Sequence, residues 1–152
     1  MPANTEKKVI VLGDSAVGKT EYVKSLLGLE FTPTHTPSVG VQVHQIKRRR
    51  INFAIWDIAS GSRSGIFDGA IIRADYAIIV CDTNQDFYSK YVKNMICEIK
   101  EKCGNIPICI VYSKCEDEPE NKLYRDFGVP TFRHSSKNKL YVFNAIDYFN
   151  SI

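Results

Sequence analysis

Residues 8–20 read Lys-Val-Ile-Val-Leu-Gly-Asp-Ser-Ala-Val-Gly-Lys-Thr, so an apolar stretch runs directly into the pattern G-x-x-x-x-G-K-[ST]. That pattern behind a strand is typical of a loop that binds phosphate. Gly13 and Gly18 allow the backbone to turn tightly, so that successive N–H groups can point towards phosphate oxygens. The Lys19 side chain can reach the terminal phosphates, and the Thr20 hydroxyl can bind Mg²⁺. We therefore predict a nucleotide site, with a structural glycine turn as the alternative, and assign to it Gly13, Asp14, Ser15, Ala16, Val17, Gly18, Lys19 and Thr20.

Composition and charge narrow the class of protein. The chain has 152 residues, of which 44% are hydrophobic and 24% charged, and this fits one domain with its own core. We predict a single domain over 1–152, with 1–6 as a flexible start, and we expect a monomer. The net charge of +3 is too small to indicate nucleic-acid binding.

The cysteines and the hydropathy of the chain predict its cellular compartment. Its five cysteines are scattered and form no C-x-x-C pair, which indicates reduced thiols and predicts a cytoplasmic or nuclear location. His35, His44 and His134 are isolated from one another in the sequence and do not form a zinc set. No apolar run reaches the length of about 18 residues that a membrane helix needs, and no signal peptide or lipidation motif is present. We therefore expect no membrane anchor.

Apolar runs and helical spacing alternate along the rest of the chain. Strands are predicted at 7–13, 39–46, 51–56, 76–81, 106–112 and 130–134. Helices are predicted at 19–29, 87–99, 119–127 and 138–150. The alternation predicts an α/β fold of the P-loop NTPase class, with a mostly parallel six-stranded sheet, one antiparallel edge and helices on both faces. The basic run 47–50 is interpreted as a solvated hairpin tip, or alternatively as a patch for an acidic partner, RNA or anionic lipid.

In such a sheet the ligand lies at the carboxyl ends of the strands. Asp57 ends a predicted strand, where its carboxylate can hold a metal ion through water. The loop at 30–38 offers Phe31, which can stack on a base, and Ser38, whose hydroxyl can bind Mg²⁺. The predicted metal ligands are therefore Thr20, Ser38 and Asp57, with a strand-end cap as the alternative role for Asp57.

Together these residues resemble a Ras-superfamily small GTPase. Lys19, Phe31 and Ser38 keep the spacing of lysine, base-stacking aromatic and switch threonine in that family. Further segments are similar to the Ran branch in particular, namely 39–44, 56–59, 68–82 and 103–108, while the phosphate loop is more similar to Rab and Rho members. Ser135, Ser136 and Lys137 occupy the place of the family's S-A-K base loop. The resemblance implies a guanine-nucleotide switch that holds GTP or GDP with Mg²⁺ and engages effector or regulator proteins through 30–46 and 57–75.

One departure from the family concerns hydrolysis. The family pattern D-x-x-G-Q is replaced by Asp57-Ile-Ala-Ser-Gly-Ser, so that Ser60 and Gly61 stand where the glycine and the water-positioning glutamine are expected. Intrinsic hydrolysis in this class is already only on the order of 10⁻⁴ s⁻¹. We therefore predict slow or impaired hydrolysis.

A second departure concerns the base. The family pattern N-K-x-D is replaced by Ser113, Lys114, Cys115 and Glu116. The Lys114 stem can still cover the base, and Glu116 keeps the charge on a longer arm. We expect Ser113 to be unable to tie this segment to the phosphate loop as the amide does. Guanine is favoured over adenine by resemblance.

Three functions fit the sequence. The first is a slow GTP-binding switch, and the second is a pseudo-GTPase that uses the same surface for binding with little or no turnover. The third is a different phosphate-loop enzyme, such as a small-molecule kinase, which would need an acceptor site and a lid with arginines.

Overall fold

The computed structural model describes residues 6–14, 17–29, 40–59, 64–82, 84, 88–115 and 127–152, with the backbone alone at 64–67. Strands and helices alternate along the described chain. In order, they are β1 (Glu6–Gly13), α1 (Lys19–Leu26), β2 (Val41–Arg48), β3 (Ile51–Ile58), α2 (Ser64–Ile71), β4 (Tyr76–Cys81), α3 (Tyr88–Cys103), β5 (Ile108–Tyr112), β6 (Thr131–Arg133) and α4 (Asn144–Asn150).

The described strands form one six-stranded sheet in the order β2-β3-β1-β4-β5-β6. β2 and β3 pair antiparallel, and the other neighbouring strands pair parallel. The predicted fold class is thus confirmed, including the antiparallel edge. Because parallel strands all run the same way, the carboxyl ends of β3, β1, β4, β5 and β6 lie side by side at one end of the sheet.

Both faces of the sheet are covered by helices. The alternating side chains of β1 go to opposite faces, with Val9 and Val11 on one side and Ile10 and Leu12 on the other. Apolar residues of α1 and α4 cover the first face, and those of α2 and α3 cover the second. The central strands are therefore buried on both sides, as their near-continuous apolar runs predicted.

Two predicted helices are shorter in the structure. α1 ends at Leu26 instead of 29, and Gly28 follows with a φ of 74°, a common way for a helix to end. The prediction of a helix from 138 was wrong in its start, because α4 begins at Asn144. Lys139 and Tyr141 have φ values of 53° and 57°, which an α-helix does not accommodate.

No helix was predicted over the residues of α2. This helix contains Gly65 and Gly69, which are poor helix formers, and they hid its apolar spacing. The predicted helix at 119–127 lies outside the described residues except for its last one. None of the helices in the described ranges is both long and apolar enough to cross a membrane.

The hairpin between β2 and β3 turns more tightly than predicted. Its turn consists of Arg49 and Arg50, and Arg48 belongs to β2. The Arg48 guanidinium donates two hydrogen bonds to Asp147 of α4, at 3.0 and 3.2 Å, and lies 4.1 Å from the centre of the Phe143 ring. The hairpin is thereby attached to α4, far from the carboxyl ends of the parallel strands.

Candidate functional site

The amino end of α1 lies beside the carboxyl ends of β1 and β3. Asp57 lies near the end of β3, paired with Val11 of β1. Lys19 is the first residue of α1, and its Nζ donates a hydrogen bond to Asp57 Oδ1. The two side chains are only 6% and 2% exposed. The fold therefore brings into contact two charged residues that stand 38 positions apart in the sequence.

Burial makes this ion pair important for the site. A lone charge inside a protein is strongly disfavoured, and an opposite charge in contact offsets much of that penalty. Each side chain here compensates the other. A phosphate that approached Lys19 would offer it a second anion, and Asp57 would then require a cation of its own.

Two glycines give the loop before α1 its shape. Gly18 has a φ of 91°, in the left-handed region that favours glycine. A Cβ on Gly13 would lie 2.9 Å from both Val17 Cγ2 and the Val80 carbonyl oxygen, so no larger residue fits there. Val17 is buried, whereas Asp14 at the mouth of the loop is exposed.

The oxygen donors at this position suit Mg²⁺. Thr20 supplies a hydroxyl directly after Lys19, and Asp57 supplies a carboxylate, both of which are ligands that Mg²⁺ accepts. The described residues contain no cluster of three or more His, Cys, Asp or Glu that would hold a metal by itself. A magnesium ion here would complete its shell with phosphate and water, as is usual for this metal.

Ser113 joins the end of β5 to the phosphate loop. Its Oγ donates a hydrogen bond to the Val17 carbonyl oxygen and lies 3.2 Å from that of Cys81. The expectation that Ser113 could not make this connection was wrong. Ser113 packs directly on the glycine turn, since a Cβ placed on Gly18 would be 3.5 Å from Ser113 Cβ, and its short hydroxyl therefore reaches the loop.

Lys114 is held by a carboxylate that the sequence did not single out. Its Nζ lies 3.2 Å from Oδ2 of Asp82, and its backbone has a φ of 58°. Asp82 is buried, and its other oxygen accepts a hydrogen bond of 2.9 Å from the Asn84 N–H. The signal available in the sequence was the position of Asp82 directly after β4, at the same end of the sheet as Asp57.

The predicted base loop forms a closed turn. Ser135 is fully buried, its Oγ accepts a hydrogen bond of 3.1 Å from the Asn138 N–H, and its backbone pairs with Leu140. Ser136 is half-buried and Lys137 is exposed. This turn lies beside the Ser113 segment, because His134 is hydrogen-bonded through its backbone to Tyr112 and Cys115.

The structure therefore assembles the phosphate loop, the Asp57 carboxylate, the Ser113 segment and the base loop at one end of the sheet. Their contacts with a nucleotide stay predictions. The other predicted site residues lie outside the described ranges, and their roles stay predictions. They are Ser15, Ala16, Phe31, Ser38, Ser60, Gly61 and Glu116.

A comparison with protein families agrees with this arrangement. The family model described as Roc, the Ras of Complex domain of DAPkinase, matches residues 8–116. The match begins in β1 and continues through Ser113 and Lys114, so that it includes the phosphate loop and Asp57. It covers well over half of the chain. The chain therefore belongs to the Roc family of Ras-like GTP-binding domains.

Proposed function

We propose that this domain holds GTP or GDP with Mg²⁺ as a nucleotide-dependent switch and hydrolyses GTP slowly. The observation that carries the proposal is the buried contact between Lys19 and Asp57 directly beside a glycine-shaped loop. Lys19 would pair with phosphate oxygens there, while Thr20 and Asp57 would hold the metal ion. Magnesium, when bound, would offset the negative charge of the phosphates.

The proposal of slow hydrolysis is supported by the sequence after Asp57. Residues 57–65 contain no glutamine, and a side chain of that kind orients the attacking water in Ras-like enzymes. Ser60 and Gly61 stand in its region. A single-turnover assay with GTP and Mg²⁺ should release phosphate more slowly than about 10⁻³ s⁻¹, and faster release would contradict the proposal.

The alternative is a pseudo-GTPase that binds nucleotide but does not turn it over. The same missing glutamine favours it, together with the altered base pattern at Ser113–Glu116. The assay also separates the two functions. Phosphate release that is slow but above the uncatalysed rate supports the switch, whereas release at the uncatalysed rate supports the pseudo-GTPase.

Guanine is the base we propose. The support is the match to the Ras-like Roc family, and the hydrogen bond from Ser113 to Val17 keeps the proposed base-reading segment attached to the phosphate loop despite the loss of the amide. Competition of ATP against GTP for the same site tests this choice. Equal affinities for the two nucleotides would overturn it.

We further propose that partner proteins bind through 30–46 and 57–75, as the similarity to Ran and Rab members suggests. β2 is the outer strand of the described sheet. The Ala59 N–H donates to the Gly40 carbonyl oxygen, and this fixes which residues of β2 pair with β3. By the alternation of an antiparallel ladder, the backbone groups of four residues point to the open side: Val41, Val43, Gln45 and Lys47.

This open edge suits a partner that adds a strand. A charged residue, a proline or a break in register usually protects an edge, and residues 41–46 contain none of these; the charges of this strand, Lys47 and Arg48, come only at its end. Val43 is 47% exposed. We expect fast amide hydrogen exchange at Val43 and Gln45 and slow exchange at Gln42 and His44; equal rates would contradict the open edge.

The location we propose is the cytoplasm or nucleus. None of the five cysteines forms a disulfide in the structure, and three of them are buried. Reduced thiols in this number fit a reducing compartment.

A further inference from the structure

His134 is the residue through which three parts of the candidate site meet. It follows β6, and its side chain is only 1% exposed. Its N–H donates to the Tyr112 carbonyl oxygen at 2.8 Å, and its carbonyl oxygen accepts from the Cys115 N–H at 3.1 Å. The backbone of His134 therefore spans both sides of the Ser113–Lys114 segment.

The imidazole ring points to the other two parts. Its Nε2 lies 2.8 Å from Ser136 Oγ in the base loop. The ring also packs edge-on against Tyr22 of α1, with ring centres 4.9 Å apart and planes at 90°. Tyr22 lies one helical turn after Lys19, and its N–H donates to the Gly18 carbonyl oxygen. One buried ring thus contacts the phosphate helix and the base loop together.

The chemistry of the ring suits a positioning role. Among the described residues, Ser136 is the side chain that hydrogen-bonds to the ring, and the backbone of Tyr141 and Leu140 also lies close to it. Burial lowers the pKa of His134 to about 4, so that the ring is neutral at pH 7. A neutral, buried ring next to Ser136 restricts the rotation of that hydroxyl and the shape of the loop that carries it.

We infer that His134 is a positioning residue for the nucleotide base, which holds the loop 135–137 in its binding shape through Ser136. This inference rests on the proposed function. His134 itself need not touch the nucleotide. Because the loop is already in shape before binding, the nucleotide does not have to order it, and the affinity is higher for that reason.

The test uses three substitutions and a matched control. Ser136→Ala removes the hydroxyl and leaves the core intact, and His134→Phe keeps the ring packing but loses Nε2. His134→Gln restores a polar group at the distance of Nε2. His44→Phe makes the same exchange at a strand histidine outside the site. The readouts are the Kd for GDP, the ratio of GDP to ADP affinity and the thermal midpoint.

We expect Ser136→Ala and His134→Phe each to weaken GDP binding by about fivefold to tenfold and to lower the GDP-to-ADP ratio. The double variant should bind GDP no more weakly than the worse single variant, because both substitutions remove the same hydrogen bond. His134→Gln should stay within about twofold of the unsubstituted chain, and His44→Phe should not change GDP binding.

Unchanged GDP affinity in the Ser136→Ala variant would overturn the inference, and this variant decides the matter if His134→Phe does not fold. Equal losses in the Gln and Phe variants, with no change in the GDP-to-ADP ratio, would also overturn it, since they would indicate a purely structural histidine. If the unsubstituted chain bound no guanine nucleotide, the proposed function would fail, and the inference with it.

Discussion

Ser113 Oγ donates a hydrogen bond to the carbonyl oxygen of Val17, across 96 positions of sequence. Both residues are buried. The bond joins the end of β5 to the phosphate loop, and Ser113 packs directly beside Gly18 of that loop. The segment that would read the base and the loop that would hold the phosphates are thereby kept in a fixed relation.

Removing this hydroxyl should destabilise the fold. Ser113→Ala leaves the Val17 carbonyl oxygen buried without this donor, and we expect the free energy of unfolding to fall by about 1–3 kcal/mol. Urea unfolding measures the change. The matched control is Ser151→Ala, which removes a hydroxyl that also donates to a carbonyl oxygen, that of Tyr148, but in an exposed place. A loss no greater than that of the control would contradict the importance of the bond.

Lys19→Ala should abolish nucleotide binding. The variant loses the cation nearest to the phosphates, and we expect at least a 100-fold weaker affinity, on the order of 3 kcal/mol. It also leaves Asp57 buried without its cation, so the nucleotide-free protein should lose about 3 kcal/mol of stability.

The control for that variant is Lys24→Ala, which removes the same charge from the same helix, where Lys24 lies 3.4 Å from Glu21 and is partly exposed. Titration calorimetry should show nucleotide binding for this control. Unchanged affinity in Lys19→Ala would mean that the phosphates bind elsewhere.

Restoring the family pattern should accelerate hydrolysis. The double substitution Ser60→Gly and Gly61→Gln supplies a side chain that can orient water. We expect single-turnover phosphate release to rise by about tenfold or more, an effect in the range of a positioned catalytic group. If the rate did not change, the cause of slow hydrolysis would lie in another residue.

The protein should become less stable as the pH is lowered, because His134 is titrated. Burial lowers its pKa from 6.5 to about 4, and the neighbouring backbone of Tyr141 and Leu140 opposes only part of that effect. Between these two pH values the unfolded chain binds a proton at this histidine and the folded chain does not. The free energy of unfolding therefore decreases as the pH drops from about 6.5 to 4, by up to about 3 kcal/mol.

The His134→Gln variant isolates this contribution, because other groups titrate in the same range. Between pH 7 and pH 4.5 we expect the unsubstituted chain to lose more free energy of unfolding than the variant loses. A constant difference over that range would show that the pKa of His134 is not lowered in the folded protein.

The sequence predicted the fold well because its strands are marked strongly. The phosphate-loop pattern located β1 and α1, and the apolar runs at 76–81 and 106–112 located β4 and β5, which are buried on both faces. The antiparallel hairpin was also predicted correctly, although its turn is shorter than expected, since alternation and a basic turn are local signals. α2 was missed because its glycines mask the helical pattern, and the start of α4 was wrong because left-handed residues such as Tyr141 leave no clear mark in sequence.

The candidate site was predictable only in part. The spacing of a motif identifies Lys19 and Thr20, because those residues are close in sequence. Asp82 pairs with Lys114 and the His134 ring packs against Tyr22, both across long stretches of sequence, and no local pattern indicates such contacts. Ser113 was expected to be too short to replace the family's amide. Its hydrogen bond to Val17 depends on how closely the end of β5 approaches the phosphate loop, which the sequence does not indicate.

The most direct measurement is a calorimetric titration of the nucleotide-free protein with GTP in the presence of Mg²⁺, with the Lys19→Ala variant in parallel. We expect saturable binding at one nucleotide per chain, weaker binding of ATP and no binding by the variant. The absence of heat and of thermal protection at millimolar GTP, or equal binding by the Lys19→Ala variant, would contradict a nucleotide site at this loop.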